Sequence, residues 1–218
     1  TATVTAADHA ALTPYPSSWL ERSQQATLGY VSIEELLAEK FHVFRATLRK
    51  LNPDALWPNP PAGTVVAVPR INSKPLPALS KIEIRLGQKT LTAYDANGQV
   101  VAQFPCSIAA DKTKRPVGET LRVVVYAENP DYTFDPALFA DDPNAAAIGK
   151  KLRIPPGPNN PVGLAWIGLD RTGYGIHGTP SPEDISKTES HGCFRMTNWD
   201  AQKLVRAVRA DLPVIVLP

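Results

Sequence analysis

Two short runs, Gly175-Ile-His-Gly-Thr179 and Ser190-His-Gly-Cys-Phe-Arg195, decide how this 218-residue chain reads; twelve residues, Gly178 to Glu189, lie between His177 and Ser190. Gly173 to His177 has strand character, and Gly178 directly after it frees the backbone to turn and cross back over a sheet. In the second run His191 precedes Cys193 by two positions, so an extended backbone points both side chains to the same side. A cysteine is a useful nucleophile only as its thiolate, and an ordinary thiol titrates at about 8.5. Activation therefore calls for a base or cation nearby, and His177 and His191 are both candidates. Gly192 lets a substrate come close to the backbone and leaves N–H groups open for an oxyanion hole.

His177, His191 and Cys193 could instead hold zinc, as Cys/His clusters commonly do. Only these three ligands are evident, and neither a Cys-x-x-Cys nor a His-Glu-x-x-His spacing accompanies them, so we expect no metal. The formal net charge of +2, without a dense run of Lys and Arg, excludes a basic nucleic-acid groove. Hydrophobic residues at 43% against 20% charged support a packed core, and 22 prolines favour short elements over long helices. The apolar runs all fall well short of the roughly 20 residues of a membrane span.

Working outward, the flanks of the two runs are rich in strands. Lys81-Ile-Glu-Ile-Arg-Leu86 alternates polar and apolar residues, the period of a half-buried strand. Thr90 to Tyr94 is another, and Asn97-Gly98 signals a hairpin into Gln99 to Phe104. Leu121 to Tyr126 follows, and then Ala127 to Pro161, rich in Pro, Asp and Asn, reads as a long excursion. Leu164 to Leu169 returns to strand. Thr197 to Arg209 is the best helix, with Leu204, Val205 and Val208 on one face, and Val214 to Leu217 is a closing strand.

The amino-terminal third has a different texture. Residues 1–25 read as a polar, Pro-containing leader and linker, of the kind left on a trimmed, exported protein. Within 26–70, the apolar stretch Leu28 to Val31 precedes Ser32, an N-cap with Glu35 three residues on. Ile33, Leu36, Leu37 and Phe41 then recur at helical spacing. A second helix is predicted over Phe44 to Leu51, ended by Asn52-Pro53, and a strand over Thr64 to Val68. The order is strand, helix, helix, strand. Residues 71–79 hold prolines that keep a linker extended.

His177-Gly-Thr followed by Ser190-His-Gly-Cys-Phe-Arg195 resembles the signature of the L,D-transpeptidases, whose catalytic domain is called YkuD. The resemblance covers about residues 80–218, including Arg115-Pro-Val-Gly118 and Ile154-Pro-Pro-Gly157. It implies a mostly β catalytic domain, a mixed β-sandwich with a helix toward the C-terminal side. It implies that Cys193 attacks a peptidoglycan tetrapeptide stem beside its terminal D-alanine, with His177 as base, oriented by the carbonyl of Gly178. His191, Gly192 and Cys193 would supply the oxyanion hole, and Arg195 would face a substrate carboxylate, with Ser190 and Thr179 beside the substrate. The thioester would pass to a second stem, giving a 3→3 cross-link without any cofactor. Water, as in an L,D-carboxypeptidase, and a lysine of a wall-anchored lipoprotein are open as acceptors. A wall-binding protein with a relic site is the reading outside enzymes. The implied partners are stem peptides and glycan strands, the place is the periplasm or cell wall, and carbapenems are the implied inhibitors.

Residues 26–70 resemble LysM, a small α+β glycan-binding fold of βααβ order, through Ser32 to Phe41, Leu48 to Pro53 and Pro61-Ala-Gly-Thr64 leading to Val68-Pro69. The usual Gly-Asp-Thr-Leu turn is here Tyr30-Val-Ser-Ile33, so glycan binding and simple packing are both open. Cys106 after Phe104-Pro105 reads either as a small buried side chain or as a disulfide partner that silences Cys193. Trp166 and Tyr174 read as core aromatics or as stacking surfaces of a cleft.

Overall fold

A computed structural model describes residues 1–71, 74–139, 143–187 and 192–218, without the side chains of residues 143 and 144. The first stretch carries β1 (Ala2–Thr3), α1 (Ala6–Ala10), α2 (Trp19–Ser23), α3 (Ile33–Lys40), α4 (Arg45–Leu51) and β2 (Val65–Val66). Then come β3 (Leu79–Arg85), β4 (Thr90–Asp95), β5 (Val100–Pro105) and β6 (Thr120–Glu128). Two short strands, β7 (Tyr132–Phe134) and β8 (Leu152–Ile154), flank α5 (Pro143–Ala146). The remaining elements are β9 (Ala165–Leu169), β10 (Gly175–His177), β11 (Phe194–Arg195), α6 (Asn198–Val205) and β12 (Pro213–Leu217). No helix among the described residues is long and apolar enough to cross a membrane.

The chain forms two compact units, one from residues 1–71 and 130–161, the other from 72–129 and 162–218. In the second unit eight strands join in the order β11-β10-β9-β6-β12-β3-β4-β5. Most neighbours are antiparallel; β12 with β3 and β10 with β11 are parallel, so the sheet is mixed. The expected sandwich is thus one continuous curled sheet. Beyond β5, Ser107 exchanges both backbone hydrogen bonds with Arg195 of β11, at 2.8 and 3.0 Å, so the two edges meet. The apolar alternation read along Lys81 to Leu86 places Ile82, Ile84 and Leu86 inside. They join Val123, Ile167, Ile176, Phe194, Leu204, Val214 and Val216 in one core. The hairpin at Asn97-Gly98 forms, with Gly98 at φ +73°, a conformation glycine adopts without a Cβ clash. Helix α6 is shorter than the periodicity predicts. Thr197 caps it by accepting the Asp200 N–H, and the chain turns at Asp211 (φ +62°) toward Pro213.

In the first unit the two predicted helices form as α3 and α4, but the strand before them does not. Residues 1–25, read as a leader, are part of the fold. Ala2–Thr3 pairs antiparallel with Val65–Val66, and Val4 is buried with Ile33, Leu37, Leu48 and Val66. Thr5 and Ser18 each start a helix with a complete capping box, which satisfies N–H groups the chain would otherwise leave bare. Ser32 caps α3 as expected, but Glu35 reaches past the cap to the Val31 N–H (2.8 Å) and accepts from Asn159 (2.7 Å). The apolar stretch at Leu28 instead docks on Ile154-Pro-Pro-Gly157. The Leu28 N–H donates to the Pro156 carbonyl (2.9 Å), and Asn159 N–H donates back to the Leu28 carbonyl (3.0 Å). A Cβ on Gly157, at φ +142°, would sit 2.2 Å from the Leu28 oxygen, so only glycine permits this approach. The excursion after β6 therefore has structure of its own. Phe134, Leu152 and Ile154 bury Leu28, and Trp19 stacks on Phe134 with centroids 4.3 Å apart.

Candidate active site

His177 ends β10, between Trp166 of β9 and Arg195 of β11 in register, so the three side chains share one face of the sheet. Its backbone is pinned on both sides: the His177 carbonyl accepts from Met196 N–H (2.8 Å), and the Gly178 N–H donates to Ala165 (3.2 Å). The buried imidazole places Nδ1 2.6 Å from the Gly178 carbonyl oxygen. A carbonyl can only accept, so Nδ1 carries the proton and the neutral ring keeps its lone pair on Nε2. Burial pulls the ring's pKa from 6.5 to about 4, against the Gly178 hydrogen bond and with help from the Arg195 charge. At neutral pH His177 is therefore an uncharged base.

The Trp166 indole stacks on the imidazole with centroids 5.7 Å apart at 26°. Gly175 makes this possible, because a Cβ there would lie 2.6 Å from the indole. Trp166 is half-buried and stacks on the candidate base, a contact that neither of the two roles read from the sequence named. Tyr174 packs against the core and donates its hydroxyl to the Lys114 carbonyl (2.7 Å).

Cys193 lies just before β11 and is half-buried, its thiol 3.5 Å from the Gly173 carbonyl. Burial raises its pKa, while the Gly175 N–H and the Arg195 charge favour the thiolate. Arg195 is half-buried, and loss of solvent lowers its pKa against the pull of Asp184 and Cys193. A Cβ on Gly192 would meet nothing within 4 Å among the described residues. Thr179 is buried; its N–H donates to Asn198 Oδ1 (3.0 Å) and its hydroxyl oxygen accepts from Ser181 N–H (3.2 Å). Ser190 and His191, both singled out by the sequence, lie outside the described residues.

Three residues at this site escaped the sequence reading. Ser107, fully buried, holds Arg195 through the backbone and accepts the Ser186 N–H at its hydroxyl (3.0 Å). Lys89 secures the same segment by donating to the Ser186 carbonyl (3.1 Å). Asn198, the first residue of α6, is fully buried, and its Oδ1 accepts from Leu164 N–H (3.1 Å) as well as from Thr179. The only sequence signal for it is the pair Gly163 and Gly178, two Cβ-less positions that make room for one amide. Cys106 is a buried thiol pushed up to about 12 by burial, which accords with a small packed side chain.

A profile of the L,D-transpeptidase catalytic domain, YkuD, matches residues 80–216. The chain belongs to this family. A Bacillus licheniformis protein bearing the name L,D-transpeptidase YkuD is 28% identical over 185 residues, 84% of this chain and 93% of that protein. An Escherichia coli K12 protein named as the L,D-transpeptidase YbiS is 28% identical over 176 residues, 80% of this chain but 56% of its own length. Among solved structures, L,D-transpeptidase 3 from Mycobacterium tuberculosis superposes with a TM-score of 0.49 at 19% identity, over 65% of this chain and 62% of that one.

Proposed function

We propose that this chain transfers acyl groups on peptidoglycan stem peptides, with Cys193 as nucleophile and His177 as base. The carrying observation is the fixed state of His177. It is neutral, with Nδ1–H committed to the Gly178 carbonyl and Nε2 left to take a proton, on the sheet face it shares with Arg195. In the reaction the Cys193 thiol proton passes to Nε2 as sulfur bonds to the carbonyl carbon before the terminal D-alanine. The tetrahedral oxyanion is met by backbone N–H groups around Gly192 and Cys193, with His191 as the third contributor. The C–N bond then breaks, and the D-alanine amine leaves with the proton held by His177. An amine on a second stem attacks the thioester, gives up a proton to His177 and releases the thiolate, leaving a 3→3 cross-link. Arg195 receives the donor's carboxylate, which suits its planar fork, with Ser190 and Thr179 beside the substrate.

Water or a lipoprotein lysine in place of the second amine would give a carboxypeptidase or an anchoring enzyme. Incubation with a tetrapeptide muropeptide, followed by mass analysis, separates these outcomes: cross-linked dimer supports transpeptidation, tripeptide alone supports hydrolysis, and unchanged substrate refutes stem-peptide chemistry. In this reading the chain works outside the cytoplasm, in the periplasm or cell wall. The part of the chain over residues 26–70, which carries α3, α4 and β2, acts as a LysM-like glycan anchor. Removal of that part should weaken retention on purified sacculi while turnover of a small soluble stem persists; equal retention would reduce it to a packing role.

A further inference from the structure

The Gly178–Thr179 peptide group is held at both ends. Its carbonyl accepts the proton on His177 Nδ1 at 2.6 Å, and its N–H donates to Asn198 Oδ1 at 3.0 Å. A trans peptide is planar, with C=O and N–H pointing opposite ways, so fixing one end fixes the direction of the other. We propose that Asn198 is a positioning residue for the base: by holding the Thr179 N–H it aims the Gly178 carbonyl at His177 and thereby selects the Nδ1–H tautomer. This role rests on the reading of His177 as the base for Cys193.

Three observations converge on Asn198. Its side chain is fully buried at the start of α6, whose Leu204 and Val205 belong to the core, so the amide is carried on a rigid element. The same oxygen also accepts from Leu164 N–H at 3.1 Å, which ties the turn after His177 to the segment entering β9. A Cβ built on Gly163 would stand 1.9 Å from Oδ1, and one on Gly178 would stand 2.3 Å away. Two backbone segments thus lack side chains where this one oxygen approaches them. Physically, an N–H that donates makes the carbonyl of the same amide a stronger acceptor, so Asn198 also strengthens the bond to Nδ1–H. Without it the peptide plane can rotate, and Nε2–H, the tautomer that cannot take the thiol proton, becomes populated.

The test uses the whole chain uniformly labelled with 15N and 13C, read by NMR at neutral pH, with His177→Gln to assign the ring signals. Wild type should show a single Nδ1–H tautomer for His177, and the Thr179 amide should couple through its hydrogen bond to the Asn198 side-chain carbonyl. Absence of that coupling in wild type overturns the proposal, whatever the variants do. Asn198→Ala should give mixed tautomers and slow D-alanine release by about 10–100-fold in kcat with little change in KM, the usual effect of a misplaced base. Asn198→Asp, which keeps an acceptor oxygen at the same place, should restore the single tautomer. An Ala variant with an unshifted tautomer, its only defect a lower melting temperature, would make Asn198 merely structural and sink the idea. If wild type releases no D-alanine yet the tautomer shifts in the Ala variant, the stem-peptide reading fails and the positioning role stands.

Discussion

The two cysteines lie in segments joined by the Ser107–Arg195 bridge, one residue before Ser107 and two before Arg195, yet their surroundings differ sharply. Cys106 follows β5 with no accessible surface; burial pushes its thiol up to about 12, and the Lys89 charge offsets this only partly. Cys193 is half-buried, and the burial that raises its pKa is opposed by the Gly175 N–H and the Arg195 charge. Both are thiols in one small unit. The difference is that a β10 backbone N–H as well as the Arg195 charge opposes burial at Cys193, while the core closes over Cys106 and only the Lys89 charge opposes burial there. Reactivity here follows from which dipoles and charges face the sulfur.

The largest test of this contrast removes each sulfur in turn. Cys193→Ala should abolish D-alanine release, with folding intact by circular dichroism, whereas Cys106→Ala should keep turnover. Loss of activity in the second variant and not the first would reverse the assignment. A carbapenem such as imipenem should likewise add one acyl mass to the Cys193 peptide, since a strained β-lactam carbonyl takes the place of the scissile amide. Intact-protein mass spectrometry reads this, and a mass on Cys106 would mark the wrong nucleophile.

Next in size is the base. His177→Ala should slow thioester formation by about 10²–10⁴-fold, the usual contribution of a positioned general base. Stopped-flow acylation of the protein would measure it, and a milder loss than in His191→Ala would exchange the two roles.

Smaller still is a pH effect on stability. The folded His177 has a pKa of about 4 against an ordinary 6.5, so the unfolded chain binds the proton more readily. Its contribution is fully present above pH 6.5 and is lost as pH falls toward 4, by up to about 3 kcal/mol. Urea titrations across that range should show a slope that His177→Gln flattens. The smallest effect is expected at the silent cysteine: Cys106→Ser puts a hydroxyl into the core and should cost about 1–3 kcal/mol of stability, with the rate per folded molecule unchanged.

Local signals were the legible ones. Asn97-Gly98 announces its hairpin because the turn and both strands lie within one short window, and His177 and Cys193 stand out because each sits in its own short run of unusual residues. The strand Ala2–Thr3 gave no such signal. It is two residues long, and its partner Val65–Val66 lies some sixty residues on, so neither periodicity nor length marks it. Strands β7 and β8 hid in a Pro- and Asp-rich stretch for the same reason, three residues each and stabilised by Trp19 and Leu28 from far upstream. Asn198 reads as an ordinary helix-starting residue. Its significance depends on Gly163 and Gly178 arriving beside it, which only the folded sheet arranges.

The meeting of the sheet's edges at Ser107 and Arg195 constrains how any extended peptide can dock on this unit. Many proteins that take hold of extended peptides let them dock as an extra strand, with main-chain pairing along an unoccupied border. At Arg195 that border is spoken for, because both of its outward backbone groups are engaged by Ser107 at 2.8 and 3.0 Å. An extended peptide therefore cannot add to the sheet as a further strand at Arg195, and on the proposed function a stem would have to reach Cys193 in some other way than by strand pairing there.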